Sequence, residues 1–493
     1  MNLGFCLMLG CASFASSVTN RAVKYETYYK EGADPILVGR LSDVEKSFGT
    51  MRDSPISWTD SEIAEYPGKM NAAGVKWYRA YFDWNQVEAG KAGTPKYGFT
   101  PNVSALFRKL RENGIAPYAE LINGNPIYAG LQMSDTDQRD FIFPNIFDPA
   151  KPELDYFKPK AFGDFCGAFA QKYQDTVQYY EIGNESGRYG FSQWYGGNIS
   201  NGAVWGKHYA EYFNACADSI RSKRPAAKII TGGMLNSAFE ALKNYLPLIA
   251  SRVNVLAIHP YPDPAYDYMT PTPEGVYAYA VKPFLDLAAK YQIPEVWITE
   301  FGWTTTKNAT APDPKTGEST SVLGQAKYLA RGRFFYPIRC KIKAVCAFTW
   351  TINNEFEIQP TAKDMLHNLN GWIQGSDSTV SIAPYKGASA EIRMLNPPDA
   401  KYTSSVETYL LLKSTKKAFL VFWIKKTQDD VFGHRNANVQ ILFPRGVSVA
   451  NLTSHDILDD SLSVPAYAVK GKELMIKNTW ISDYPNLVEI NFP

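Results

Sequence analysis

Eight apolar, strand-like runs alternate with amphipathic helical stretches between residues 46 and 370, and this repeat constrains the fold most. Most of the runs are apolar throughout, as in parallel strands that are buried on both faces. Eight such units in about 325 residues predict an α/β fold, a (β/α)₈ TIM barrel with loop insertions. An open doubly wound sheet is the alternative, but no Gly-rich dinucleotide motif follows the first run. The runs are 48–51, 75–81, 115–121, 177–185, 228–233, 253–259, 296–302 and 344–350.

A second pattern follows the barrel. From 375 to 493, helical periodicity fades and short β-rich runs lie between turn residues, which predicts a C-terminal antiparallel β-sandwich domain. Residues 18–45 form an N-terminal segment with a candidate strand for that sandwich. The β-rich runs are 407–412, 418–424, 439–443, 473–476 and 487–490.

The first 17 residues are apolar and then rich in small residues, which is typical of a secretory signal, although a basic start is missing. Cleavage after Ala15 is one interpretation. Leu7–Cys11 is loosely similar to a bacterial lipobox, which makes Cys11 a candidate lipid anchor to a membrane. We therefore expect a secreted, periplasmic or cell-surface protein.

Charge and cysteine usage exclude several partners. The net charge of +2 and the absence of a long Lys/Arg run argue against nucleic acid binding. The cysteines after the signal segment lack metal-binding spacing, so we expect free buried thiols, no metal and no cofactor. Nothing in the sequence indicates the oligomeric state. These cysteines are Cys166, Cys216, Cys340 and Cys346.

Two glutamates end strand-like runs on nearly opposite sides of the predicted ring. The active site of a TIM barrel lies at the carboxyl ends of its strands, so Glu185 and Glu300 can flank one bond. Glycosidases that retain configuration need two carboxyl groups about 5–5.5 Å apart. Arg79 and Tyr261, also at strand ends, would keep Glu300 ionised, while apolar surroundings would keep Glu185 protonated. Asn184 is placed to hydrogen-bond a sugar hydroxyl.

Other strand ends carry weaker candidates. His259 precedes Pro260 at the end of the sixth run and is read as a site residue rather than a core histidine. Trp303 and Trp350 are candidate sugar platforms, with barrel packing as the alternative. Glu120 and Glu355 are the substitutes if the pairing of the two glutamates is wrong.

These motifs carry a family resemblance. Residues 180–185 (Tyr-Glu-Ile-Gly-Asn-Glu) resemble the acid/base motif of the clan A glycoside hydrolases, and residues 298–303 (Ile-Thr-Glu-Phe-Gly-Trp) resemble their nucleophile motif. Arg79, residues 259–261 and Trp350 match the clan's residues on strands two, six and eight. The barrel-plus-sandwich order is similar to families 39, 30 and 79 and the agarase-like family 86. Ser186 stands where many relatives carry proline, so this motif does not identify the subfamily.

The resemblance implies a retaining double displacement, with Glu300 as the nucleophile and Glu185 as the acid/base. We expect a glycoside hydrolase that cleaves β-glycosidic bonds in a polysaccharide or oligosaccharide. The insertion at 124–149 favours endo action. The sequence does not identify the sugar. The alternative is a non-catalytic carbohydrate-binding or adhesion protein on the same fold. A barrel lyase or aldolase would require a lysine or a metal cluster at the strand ends, and the sequence shows neither there.

Overall fold

The structure is a computed structural model. It describes residues 34–52, 54–89, 96–122, 125, 127, 159–185, 202–262, 272–305, 319–351, 356–394, 406–425 and 435–493. The sequence predictions for the signal segment with Cys11, for most of the insertion at 124–149, for Ser186 and for Glu355 lie outside the described residues.

A closed barrel of eight parallel strands forms the centre of the molecule, as the sequence predicts. The strands follow one another around the ring in chain order, and the last pairs with the first. We number them barrel strands 1 to 8. They are Phe48–Met51, Trp77–Asp83, Ala116–Ile122, Tyr179–Asn184, Lys228–Leu235, Val255–His259, Glu295–Phe301 and Val345–Ala347.

Three strands end earlier than the sequence predicts, and for barrel strand 7, which ends at Phe301, the difference is one residue. Barrel strand 4 ends at Asn184, because Glu185 takes a left-handed backbone conformation with φ of 42°. Barrel strand 8 is regular only as far as Ala347. Beyond it, single hydrogen bonds from Phe348 N–H to Phe301 and from Trp350 N–H to Met51 replace the regular ladder.

Helices surround the barrel, and three of them contain an internal proline, Pro67, Pro247 or Pro337, a residue that usually interrupts a helix. A capping box between Thr59 and Glu62 begins the first of them. The α-helices are Leu41–Glu45, Asp60–Ala72, Trp84–Val87, Pro101–Glu112, Pro159–Lys172, Gly202–Lys223, Phe239–Ile249, Pro273–Val276, Lys282–Lys290, Val322–Arg339 and Pro360–Ile373.

Shorter elements complete the description. Within the described ranges, four 3₁₀ turns and one π-helical turn lie at Pro55–Ser57, Asn236–Ala238, Ala250–Arg252, Ala383–Tyr385 and Tyr277–Val281. Two small ladders join Glu88–Ala89 to Lys96–Tyr97 and Thr304–Thr305 to Ser319–Thr320. Among the described residues, no helix combines the length and the hydropathy needed to cross a bilayer.

Aromatic side chains fill the lower half of the barrel interior. The ring of Trp297 lies 4.8 Å from that of Trp77, 4.7 Å from Tyr179 and 5.7 Å from Tyr118. Side chains two residues further along a strand point to the same face. The inward positions above this layer are therefore the ones that approach the carboxyl ends of the strands, and they hold charged and polar residues.

A two-sheet β-sandwich follows the barrel and confirms the prediction for the C-terminal part. Its pairings are antiparallel, except that Leu37–Arg40 runs parallel to Val406–Ser414. One sheet has the order Asp34–Pro35, Ser389–Met394, Arg435–Leu442, Glu473–Ile481 and Ala466–Lys470. The other has the order Leu37–Arg40, Val406–Ser414, Lys417–Ile424, Asn486–Asn491, Asn451–Asp456 and Leu462–Ser463.

The barrel helix Val322–Arg339 joins the sandwich through buried ions. Lys327 Nζ lies 2.9 Å from Asp483 of the sandwich, and both side chains are buried. Glu274 of the barrel receives hydrogen bonds from Arg331 and from the indole of Trp423 in the sandwich. This helix is buried on every side because it lies between the barrel and the sandwich. Its polar residues therefore form ion pairs and hydrogen bonds at that interface.

Candidate active site

Arg79 lies at the centre of a buried cluster of carboxylates. Its Nη1 donates to Glu300 at 2.5 Å, and its Nε and Nη2 donate to both oxygens of Glu181 at 2.8 and 3.0 Å. Nη2 also donates to the Asn184 side-chain oxygen at 3.0 Å and lies 3.0 Å from Glu120. Burial would lower the pKa of Arg79, but the surrounding carboxylates raise it well above its usual value. The cluster therefore holds one permanent cation.

Glu120 is a carboxyl group of this cluster whose protonated form is favoured by burial. Burial, opposed by Arg79 and reinforced by Glu181 and Glu300, raises its pKa well above the usual value. Its Oε1 pairs with Arg79 by charge at 3.0 Å, but among the described residues neither of its oxygens accepts a hydrogen bond. Arg79 donates hydrogen bonds to Glu181 and Glu300, but none to Glu120.

The raised pKa of Glu120 predicts a specific pH dependence of stability. Above pH 4.5 the unfolded chain releases this proton while the folded protein keeps it, so the stability falls as the pH rises. The slope for one such group is at most about 1.4 kcal/mol per pH unit. We expect Glu120→Gln to remove this contribution, so that guanidinium unfolding between pH 5 and 8 gives a flatter curve than wild type. The same change at exposed Glu240 is the control, and equal slopes for all three proteins would contradict the assignment.

Glu300 is held by two donors on its two oxygens. The Tyr261 hydroxyl donates to Oε2 at 3.0 Å, and Arg79 donates to Oε1. Burial and the neighbouring carboxylate of Glu300 raise the pKa of Tyr261 well above its usual value, so the hydroxyl keeps its proton as a donor. Each oxygen of Glu300 therefore accepts one hydrogen bond from a side chain at another strand end.

Glu185 faces Glu300 across the barrel mouth. A carboxylate oxygen of each residue and Nδ1 of His259 lie within 4.8 Å of one another. Glu185 Oε1 is 2.9 Å from Nδ1 of His259, and its backbone N–H donates to the carbonyl of Gly233. The positive φ of Glu185 turns the chain out of strand 4, a strained conformation of the kind that clusters at functional sites.

Gly233 makes room for His259. A Cβ atom at position 233 would lie 1.9 Å from Nε2 of the imidazole, so only glycine allows the ring to pack there. The ring of His259 is buried, and its Nε2 lies 3.1 Å from the hydroxyl of Thr299. The small residue at the end of strand 5 therefore sets the position of the histidine from strand 6.

The structure brings together six of the eight site residues named from sequence. Trp303 and Trp350 lie at the same end of the barrel but are almost fully buried. Trp303 packs against Tyr328 at 5.1 Å, and Lys363 lies 5.1 Å above the ring of Trp350. The platform role of the two tryptophans stays a prediction. The six that meet are Arg79, Asn184, Glu185, His259, Tyr261 and Glu300.

Sequence reasoning gave no role to Glu181 or Thr299. Glu181 accepts from Arg79, from the backbone N–H of Gly233 and from the hydroxyl of Thr299. The alternation of side chains along a strand could have indicated that both point into the barrel. Glu181 is two residues from the inward Tyr179, and Thr299 is two residues from the inward Trp297. Sequence alone could not show that these two inward positions meet.

The site has one set of atoms close enough to share a cation. In the described part of the chain, Glu185, His259 and Glu300 are the group whose atoms come within 4.8 Å. The three side chains could therefore hold a cation, although Arg79 already places one positive charge beside Glu300, at 2.5 Å.

Solved structures that share this fold include glycoside hydrolases of families 39 and 30. A family 39 enzyme from the gut symbiont Bacteroides cellulosilyticus aligns with a TM-score of 0.58 at 14% identity, over 91% of this chain and 82% of that one. A monomeric β-xylosidase from Caulobacter crescentus aligns at 0.55 and 13%, over 93% and 97%. A family 30 endoxylanase from Clostridium papyrosolvens aligns at 0.53 and 13%, over 94% and 98%.

Sequence comparison adds no closer relative. No family model matches the chain, and no curated protein sequence matches it. The structural likeness at this level of identity shows a common fold, the TIM barrel with an attached sandwich.

Proposed function

We propose that this protein is a retaining glycoside hydrolase that cleaves β-glycosidic bonds in a polysaccharide or oligosaccharide. The observation that carries the proposal is the buried pair of carboxyl groups, with oxygens of Glu185 and Glu300 within 4.8 Å. Retaining enzymes place the two groups about 5–5.5 Å apart, whereas inverting enzymes leave about 6.5–9.5 Å for a water molecule. The shared fold of families 39 and 30 supports the same reaction class.

The different surroundings of the two carboxyl groups assign their roles. Glu300 is bound by the Arg79 cation and the Tyr261 hydroxyl, which favour a carboxylate and therefore a nucleophile. Glu185 is almost fully buried beside His259 and carries the proton that the leaving group needs.

The reaction proceeds in two displacements. An oxygen of Glu300 attacks the anomeric carbon, the glycosidic C–O bond breaks, and the leaving oxygen takes the proton of Glu185. Water then attacks the same carbon and gives its proton to Glu185, and Glu300 leaves as a carboxylate. Asn184, held by Arg79 through its side-chain oxygen, directs its amide N–H groups toward a substrate hydroxyl.

A polysaccharide panel with product analysis tests the proposal. The purified protein is incubated with β-linked glucans, xylans, mannans, galactans and uronide-bearing polymers, and the products are sized and their anomeric configuration is followed by proton NMR. We expect a β-configured product first, with short oligosaccharides rather than single sugars, because we propose endo action. An α-configured first product would contradict retention, and binding of a glycan without cleavage would favour the carbohydrate-binding alternative.

We propose export to the periplasm, the cell surface or the medium on the composition of the first 17 residues. Cell fractionation with mass spectrometry of the mature N-terminus tests this proposal. A fatty-acylated Cys11 would establish the lipid anchor, a chain that begins after Ala15 would establish cleavage, and an intact cytoplasmic chain would contradict export.

A further inference from the structure

A continuous chain of hydrogen bonds links Glu181 to Glu185 through two other side chains. The hydroxyl of Thr299 donates to Glu181 Oε1 at 3.1 Å. The same hydroxyl oxygen lies 3.1 Å from Nε2 of His259. Nδ1 on the other side of the imidazole lies 2.9 Å from Glu185 Oε1. All four side chains are buried, so bulk water does not compete for these bonds.

The positions of the hydrogens in this network follow from Glu181, which is its first residue. Glu181 accepts from Arg79 Nε and Nη2, from the N–H of Gly233 and from Thr299, so it has donors on every side and acts as a carboxylate. The single hydrogen of the Thr299 hydroxyl therefore points to Glu181. The hydroxyl oxygen is left as an acceptor toward His259, and Nε2 must carry the hydrogen of that bond.

We propose that Glu181 and Thr299 are positioning residues that fix the tautomer of His259 and thereby keep the acid proton on Glu185. With its hydrogen on Nε2, a neutral imidazole presents a lone pair on Nδ1 to Glu185. Glu185 then donates its proton in the hydrogen bond to Nδ1. This inference rests on the proposed function, because it concerns the acid/base of that reaction.

An acceptor that faces a carboxyl group favours its neutral form. Glu185 consequently keeps its proton in the resting enzyme and recovers it readily from the attacking water in the second displacement. The imidazole also orients the carboxyl group, since the ring packs against the backbone of Gly233, where a Cβ atom would clash with it.

The other ionisable groups around the imidazole and Glu185 come from four strands. Glu300 Oε2 lies 3.7 Å from Nδ1 of His259, and the ring of Tyr261 lies 6.4 Å from the imidazole ring. Arg79 is bound to Glu181 and Glu300, with Glu120 beside it. The Arg79 cation offsets only one of the two carboxylate charges of Glu181 and Glu300, so the directions of the hydrogen bonds, and not a balance of charge, set the tautomer that we propose.

The first test measures the tautomer without any substrate. The whole protein is labelled with nitrogen-15 in its five histidines, and the His259 signals are assigned by their loss in a His259→Gln variant. We expect a protonated Nε2 and an unprotonated Nδ1 near neutral pH. A protonated Nδ1, either as the other tautomer or as a charged imidazole, would overturn the proposal whether or not the protein cleaves a glycan.

The second test follows the pH–rate profile of Thr299→Val and Thr299→Ser on the best substrate of the panel. Valine removes the acceptor for Nε2, so the hydrogen moves to Nδ1 and stabilises the Glu185 carboxylate. We expect the alkaline limb of kcat/KM to move down by about one pH unit. Serine keeps the hydroxyl and should keep the limb of wild type. An unmoved limb in a folded valine variant, or an equal shift in the serine variant, would overturn the proposal.

The two failures are distinguishable. If the wild-type protein cleaves no glycan but His259 has the expected tautomer, the proposed function fails and the proton arrangement stands. If the wild type cleaves with retention and the tautomer is reversed, the function stands and the role of Glu181 and Thr299 is wrong.

Discussion

Replacing Glu300 with alanine is expected to lower kcat/KM by at least about 10⁴-fold, the order of loss seen when a covalent nucleophile is removed. The variant should fold normally, because the smaller side chain removes a buried charge and Glu181 keeps Arg79 paired. The proton donor Glu185 remains in place. The loss should therefore appear in kcat as well as in kcat/KM, measured with the best substrate of the panel.

Azide separates a missing nucleophile from general damage. The anion is small enough for the space left by the side chain and attacks the anomeric carbon of a substrate with a good leaving group. We expect an α-glycosyl azide from the β-glycoside, because a single displacement inverts the configuration. Glu295→Ala at the opposite end of the same strand is the control and should retain near wild-type activity. Activity within tenfold of wild type in Glu300→Ala would contradict the assignment.

Replacing Arg79 with methionine is expected to destabilise the protein by about 3–5 kcal/mol, as when one partner of a buried ion pair is removed. Methionine fills much of the same volume but leaves Glu181 and Glu300 buried without their cation. Guanidinium unfolding at neutral pH measures the change. Activity should fall together with stability, since Glu300 loses the donor that favours its carboxylate form.

Arg252→Ala is the matched control for this loss. Arg252 pairs with Asp218 at the surface, with about a third of the arginine side chain and over half of the aspartate side chain exposed, and such pairs contribute at most about 1 kcal/mol. A loss below 1 kcal/mol for Arg79→Met would show that the buried carboxylates take up protons and do not depend on the arginine.

The positions of the main site residues could be predicted because they follow from the barrel topology. Apolar runs of the right length predict buried parallel strands, and a barrel brings the carboxyl ends of its strands together. Glu300, Arg79 and Tyr261 were placed in contact by this rule, and the structure shows the two hydrogen bonds that join them. Strand ends were less certain, since the turn at Glu185 depends on its φ of 42° and not on the apolar pattern.

The residues behind the site were not predictable in the same way. Glu181 and Thr299 are separated by 118 positions, and their contact depends on how two strands that are not neighbours in the sheet face each other across the barrel interior. The state of Glu120 likewise follows from burial among other charges, since burial disfavours the charged form of a carboxyl group. No local pattern contains that information.

Residue types and spacing along this chain specify a closed barrel, a sandwich and two glutamates that face each other, because hydrophobic periodicity and strand order are properties of the chain. Protonation and hydrogen-bond direction arise only after folding, because they depend on distances between groups from different strands and on the loss of water around them. Arg79, Glu181, Thr299 and His259 are ordinary residues in the sequence. In the folded barrel they become a single buried network that ends at Glu185.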